Sequence, residues 1–368
     1  MIDHLREVQR RTAMNDDLST PAPTLVGRFA FDVASDQPSA DLPLDVLDGV
    51  TKALFAGQTH YVDVPGMGRL RQLLSDHLRV TERADVAADA VVVTAGIQEA
   101  RFLAIQVLSE TYPVVAVPEV VHPGIRNALG VRRPHEVLRL SAAPEDGYLA
   151  PIGAIEEALE AGAKLLVLET PSRLSGATYD AQSVRTIADL LVKHDAHAIL
   201  DTGFAAWSEA PMPSLALQPN AEGRVTLISE ALPGVGLEAW SLGVLATSSE
   251  HLAGITKLKQ IMSICTSTPS QLAAIEFFDR GLQDVTSVRN SLAKARREAV
   301  EQAMAVGATV VPGSCANVLA VATIDGTPVG AADGSVFGAP GVARLRIDGD
   351  AATLILGSLP HVARGGVE

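Results

Sequence analysis

Cysteine is scarce in this chain: Cys265 and Cys315 are the only two in 368 residues. A disulfide framework is thereby excluded, and the composition fits a reducing compartment. The CxxC and HExxH pairs that signal zinc are missing, so no metal site is indicated. No apolar run approaches the ~20 residues needed to span a bilayer. The opening Met-Ile-Asp-His-Leu-Arg-Glu lacks the apolar centre of a signal peptide, which makes a cytoplasmic protein the expectation. Positive charge is also short, with 29 Lys and Arg against 43 Asp and Glu and a formal charge of -14. Nucleic acid and anionic membrane are therefore unsuited as main partners. What is present is apolar: 47% hydrophobic against 20% charged residues marks a well-cored globular protein rather than a disordered one.

From Val91 the chain alternates. Strands are expected at Val91–Ala95, Val114–Pro118, Val137–Leu140, Lys164–Glu169, Ala198–Asp201, Val225–Ser229 and Leu242–Ala246. Helices are expected at Gly96–Ser109, His122–Leu129, Ile152–Ala161 and Ala181–His194. Short apolar strands between helices predict an α/β fold, with a mostly parallel central sheet covered by helices on both faces. Helical spacing also appears at Leu44–Leu54 and from Gly66 to Leu78. Beyond Ser248 the pattern changes: Glu250–Ile264 and a long stretch from Gln271 to Val306, with a break near Asp284, read as helical. Strands follow at Asn317–Ile324 and Val342–Ile347, with a last helix from Ala351. These segments predict a smaller α+β domain. The expected organisation is an N-terminal arm (1–45), a large domain (46–270) and a small domain (271–368).

Ala198-Ile-Leu-Asp-Thr-Gly-Phe204 is the chemically suggestive stretch, a buried strand ending in one carboxylate. Ligands of open α/β sheets lie at such strand ends. Taken alone, Asp201 is equally readable as a helix cap or turn residue.

Several segments in fixed order resemble the class I/II aminotransferases, the fold type I family that uses pyridoxal phosphate. They are Tyr61 with Gly66 and Leu70-Arg71, Val92-Val-Thr-Ala-Gly-Ile-Gln-Glu-Ala100, Val117-Pro118, Glu169-Thr-Pro-Ser-Arg-Leu-Ser-Gly176, Asp201, Ser229 to Gly243, and Phe337-Gly338 to Arg346. The likeness runs from about Ser35 to Ile347. It implies that Gly96, Ile97 and Gln98 present a helix N-terminus to the cofactor phosphate. It implies that Asp201 holds the pyridine nitrogen protonated. It also implies that Arg346 grips a substrate carboxylate by a two-pronged pair, with Arg344 as the weaker candidate. Tyr61 would reach a neighbouring subunit's site in a homodimer.

The resemblance fails at its defining residue. Leu232 occupies the Schiff-base lysine position, and no lysine lies between Lys193 and Lys257. Lys257 and Lys259 read as a solvated helix face. Ser241 replaces the phosphate arginine, Val120 the stacking aromatic, Arg173 the asparagine facing the cofactor oxygen, and Phe204 the tyrosine three residues beyond Asp201. Without an amine at 232 there is no internal aldimine and no ε-amino base for transamination. Arg173 then becomes a candidate partner of Asp201, and His122 a possible acid or base.

Three readings stay open. One is a specialised, biosynthetic type of enzyme that acts on or binds an amino acid or related carboxylate in a pocket lined by Asp201, Arg173, Tyr61, His122 and Arg346. A second keeps pyridoxal or pyridoxamine phosphate noncovalently. The third is a pseudoenzyme that pairs with an active homologue. The retained Asp201 and Arg346 favour the first.

Overall fold

The strands anticipated from the apolar runs form one sheet in the computed structural model, which describes residues 43–81, 84–131, 136–234, 240–323 and 331–347. The N-terminal arm up to residue 42 and the helix expected from Ala351 lie outside the described residues.

The strands are β1 (Val91–Thr94), β2 (Val114–Pro118), β3 (Glu136–Leu140), β4 (Leu165–Glu169), β5 (His197–Asp201), β6 (Val225–Glu230) and β7 (Gly243–Ala246). Their spatial order is β1-β7-β6-β5-β4-β2-β3. The run from β6 to β3 is parallel, and β7 is antiparallel to both its neighbours. The helices among the described residues are α1 (Leu44–Phe55), α2 (Gly68–Thr81), α3 (Gly96–Thr111), α4 (Pro123–Val131), α5 (Ile152–Glu160), α6 (Ala181–Lys193), α7 (Ser249–Ser263), α8 (Thr268–Asp279) and α9 (Thr286–Ala305).

Alternate strand residues point to opposite faces, and both faces are apolar here. Leu165, Val167, Ile199, Ile228 and Leu245 face α3, α4 and α7. Leu166, Leu168, Ala198, Leu200, Leu227 and Val244 share the second core with α1, α2, α5, α6, α8 and α9. Burying both faces forces the polar strand ends to one edge, where β4, β5 and β6 finish in Glu169, Asp201 and Glu230.

The helical stretch expected from Gln271 is two helices, α8 and α9. The chain turns between them at Gly281, whose φ of +67° suits glycine, and Asp284 Oδ1 accepts the Thr286 N–H at 2.9 Å. A three-stranded antiparallel sheet follows, with β10 (Val342–Arg346) between β8 (Val318–Ala322) and the short β9 (Ala332–Asp333).

Candidate functional site

Glu169 and Asp201 are direct partners in the parallel β4–β5 register. Each lies two residues beyond an apolar residue that faces α3, Val167 and Ile199, so both carboxylates point toward that helix. Glu230 takes the equivalent place on β6, two beyond Ile228. Adjacent buried carboxylates repel one another. Burial and the charge of Asp201 push the Glu169 carboxyl up to about 7. Burial pushes Glu230 up against the opposing charge of Arg173. At Asp201 burial acts in the same direction, but Arg101 and Arg173 outweigh it and hold this carboxyl below its usual range.

Two buried arginines answer the repulsion. Arg101 is the charged member of an otherwise apolar stripe on α3 with Ile97, Ile105 and Leu108. Its Nε donates to Asp201 Oδ2 at 2.6 Å, and the pair is almost wholly buried. Arg173 follows the cis Thr170–Pro171 bond at the end of β4. Its backbone N–H donates to Glu169 Oε1 at 2.6 Å, its Nη2 to Glu230 Oε1 at 3.3 Å, and its guanidinium lies 4.3 Å over the Phe204 ring. Arg101 is thus an ion-pair partner of Asp201 that the sequence reading missed, and the charge of Arg173 also acts on Asp201.

Arg173 has this position because residue 203 is glycine. A Cβ there would lie 1.9 Å from Arg173 Nη2 and 2.6 Å from Ile97 Cδ1. Gly203→Ala is expected to displace the guanidinium and cost about 1–3 kcal/mol in denaturant unfolding. Gly153→Ala in α5, where a Cβ meets nothing within 4 Å, should instead stabilise by about 0.4–1 kcal/mol.

His122 is buried beside the cluster. Its Nδ1 accepts the Gly124 N–H at 2.9 Å and faces Arg101 Nη1 at 2.9 Å. Both partners are donors, so the neutral ring carries its proton on Nε2, and Nδ1 is committed as an acceptor. The His122 backbone N–H donates to Glu169 Oε2 at 3.2 Å. Gln98 lies on the exposed rim, donating to the Gly124 carbonyl at 3.1 Å and accepting from Arg101 at 3.3 Å. Ile97 is buried under Gly203, and Gly96 opens α3 with a φ of +74°. Tyr61 is 78% exposed and stands apart from this group in the single chain.

Of the two arginines on β10, Arg344 is the one in the cluster. It is buried, donates from Nε to the Arg173 carbonyl at 2.6 Å, and lies 5.6 Å from the rings of both Phe204 and Phe337. Arg346, one repeat further along the same face, is half-buried at the strand end. Leu232 is buried in the core on the α2 side of the sheet.

Lys259 overturns the reading of its helix face as solvated. Lys257 is exposed, but Lys259 is fully buried, donating to Glu99 Oε2 at 2.8 Å and Thr266 Oγ1 at 2.9 Å. The last turn of α7 packs on the start of α3 and takes Lys259 inside with it.

A cavity of about 670 Å³ opens beside the cluster, lined in part by Thr202, Gly203, Ser229, Glu230, Glu209 and Arg289. It reaches the cluster at Gly203, which packs against Arg173, and at the half-buried Glu230. Among the described residues, no His, Cys, Asp or Glu group is placed to hold a metal ion, and no helix is long and apolar enough to cross a membrane.

The strand-end carboxylates and the helix start at Gly96 occupy the region where the resemblance places an aminotransferase site, and comparison with known proteins agrees on the fold. The putative aminotransferase YugH of Bacillus subtilis is 24% identical over 293 residues, 78% of this chain and 74% of that protein. A double mutant of the Thermus thermophilus aspartate aminotransferase superposes with a TM-score of 0.77 at 21% identity, covering 87% of this chain and 88% of that one. N-succinyldiaminopimelate aminotransferase from Mycobacterium tuberculosis gives 0.78 at 21% identity, over 88% and 91% of the two chains. The pattern described as aminotransferase class I and II matches residues 32–336, and the chain belongs to that family.

Proposed function

We propose that this protein binds an amino acid or a related small carboxylate at the carboxyl edge of its sheet, without lysine-based transamination. The observation that carries the reading is an unmet donor. Arg101 Nη2 is buried and has no acceptor within hydrogen-bonding distance among the described residues. A buried guanidinium N–H without an acceptor costs about 1–3 kcal/mol or more, and a ligand carboxylate supplies the matching acceptor. The cavity reaches the charge cluster at Gly203 and Glu230 rather than at Arg101 itself, with Glu230 as a counter-charge for an ammonium group.

Pyridoxal phosphate does not fit these residues as a working cofactor. When bound, it would supply an electron sink for carbanion chemistry. Leu232 offers no amine, Lys259 is engaged by Glu99 and Thr266, and the chain's other lysines are exposed. Asp201 already faces a guanidinium where a pyridine nitrogen would need it. No step of the proposed activity passes through the cofactor. In this reading the chain pairs with a second copy, for which the exposed Tyr61 segment is available.

The test has two arms. Protein incubated with pyridoxal phosphate and borohydride should show no added mass, and at least one amino acid or 2-oxo acid should raise its melting temperature. A fixed adduct on any lysine would overturn the reading. Absorbance that dialyses away would restore noncovalent cofactor use. A panel of carboxylates with no effect would leave a structural partner, the role consistent with charges that largely satisfy one another.

A further inference from the structure

We propose that Glu99 is an internal anion that occupies the phosphate cup at the start of α3 and excludes phosphorylated ligands from it. The cup has the parts that an anion wants. Helix α3 begins at Gly96 with its first N–H groups unbonded within the helix, and the helix dipole places positive charge there. Lys259 is fully buried and directed at this point from α7. A carboxylate of the same chain takes those parts. Glu99 Oε2 accepts the Ala95 N–H at 2.5 Å and the Lys259 ammonium at 2.8 Å, while Oε1 accepts from Ser263 Oγ at 3.1 Å. Thr266 holds the lysine from behind, accepting from Nζ at 2.9 Å and donating to the Val93 carbonyl at 2.9 Å. The opposite wall is closed as well, because a Cβ at Gly96 would lie 2.1 Å from Ser241 Oγ.

An acidic side chain in a first helical turn is often no more than a cap. A cap accounts for the bond to Ala95. It does not account for a lysine buried completely and aimed at the same oxygen. A buried ammonium requires a counter-charge, and Glu99 supplies it from within, so an added phosphate would meet a carboxylate rather than a vacant cation. The inference is independent of which carboxylate binds near Arg101.

The experiment titrates inorganic phosphate, and separately pyridoxal 5′-phosphate, into the full chain at matched ionic strength, following melting temperature and equilibrium binding. The wild type should respond no more than it does to chloride. Glu99→Ala should bind phosphate about tenfold or more tighter, a gain of about 1.4 kcal/mol or more. Adding Lys259→Met to that variant should abolish the gain. Glu99→Gln, which keeps the side-chain volume, should gain in the same direction. If Glu99→Ala folds poorly in chloride, phosphate in the refolding buffer should recover it. Phosphate binding by the wild type as tight as by Glu99→Ala would overturn the proposal. So would an absence of gain in both Glu99 variants, or a failure of phosphate to recover a poorly folded Glu99→Ala.

Discussion

Asp201→Asn is expected to lower the unfolding free energy by about 3–5 kcal/mol, the cost of leaving one member of a buried ion pair without its partner. For a chain of this size the melting temperature should fall by roughly 5–10 °C. Arg101 and Asp201 are both within 2% of full side-chain burial and lie 2.6 Å apart, so water cannot replace the missing charge. Asparagine can still accept one hydrogen bond, from Arg101 or from the Gly203 N–H that now reaches Oδ1 at 3.0 Å. It cannot neutralise the guanidinium. Arg101→Met should be similarly costly, because it strands Asp201 beside Glu169. The double variant Arg101→Met/Asp201→Asn should recover much of the loss, since removing both charges removes the desolvation penalty along with the attraction. A double-mutant cycle in denaturant measures that coupling. Single-variant costs under about 1 kcal/mol would mean that the pair behaves as a screened surface bridge, and the charge cluster would lose its claim to organise the site.

The sheet was legible because its strands are short apolar runs bounded by turn residues, and period and length then leave few alternatives. The reversal of β7 was not legible, since a strand buried on both faces carries the same apolar run in either direction. Asp201 was found because it ends such a run. Its partner was overlooked because an arginine in a helix reads as solvent-facing by default. The missed signal is positional: Arg101 stands four residues after Ile97 and four before Ile105, on the stripe that must face the sheet. Glu169 could have been found in the same way, once two parallel neighbours both ending in a carboxylate were set side by side. Lys259 could not, because its burial depends on how α7 meets α3, which no local pattern records. The choice between Arg344 and Arg346 was equally beyond the sequence. Both lie on one face of β10, and only packing against Phe204 and Phe337 separates them.

These placements connect the fold to its proposed ligand through one proton. Two parallel strands in register bring Glu169 against Asp201, and burial keeps solvent from relieving the repulsion. Arg101 is committed to Asp201, which stays ionised, so Glu169 is the member that keeps its proton. The charge of Arg101, the Arg173 N–H and the Arg173 charge lower its proton affinity without overcoming burial. Any anion that accepts from Arg101 Nη2 adds negative charge beside this carboxyl. Ligand binding and protonation of Glu169 are therefore expected to favour each other.

The sign of the resulting pH dependence is set by a folded-state value of about 7 against an ordinary 4.5. Between those values the folded chain holds a proton that the unfolded chain has released. The contribution of Glu169 to stability is therefore complete below pH 4.5 and lost as pH rises through 7. At about 1.36 kcal/mol per pH unit, the loss across that window is on the order of 3 kcal/mol. Glu230, also raised, adds in the same direction, and Asp201, lowered, matters only in more acidic solution. The difference between wild type and Glu169→Gln isolates the one group. Unfolding free energies from pH 5 to 8 should show the wild type declining relative to the variant, most steeply between the two values and levelling off above about 7, with a protonated carboxyl band in the infrared that the variant lacks. Affinity for a stabilising carboxylate should weaken as pH rises past about 7 in the wild type and stay level in Glu169→Gln. A stability difference flat in pH would mean that Glu169 is ionised throughout, with Arg101 and Arg173 serving two full negative charges. An added ligand carboxylate would then face a cluster already supplied with anions, and the proposed binding at Arg101 would fail with it.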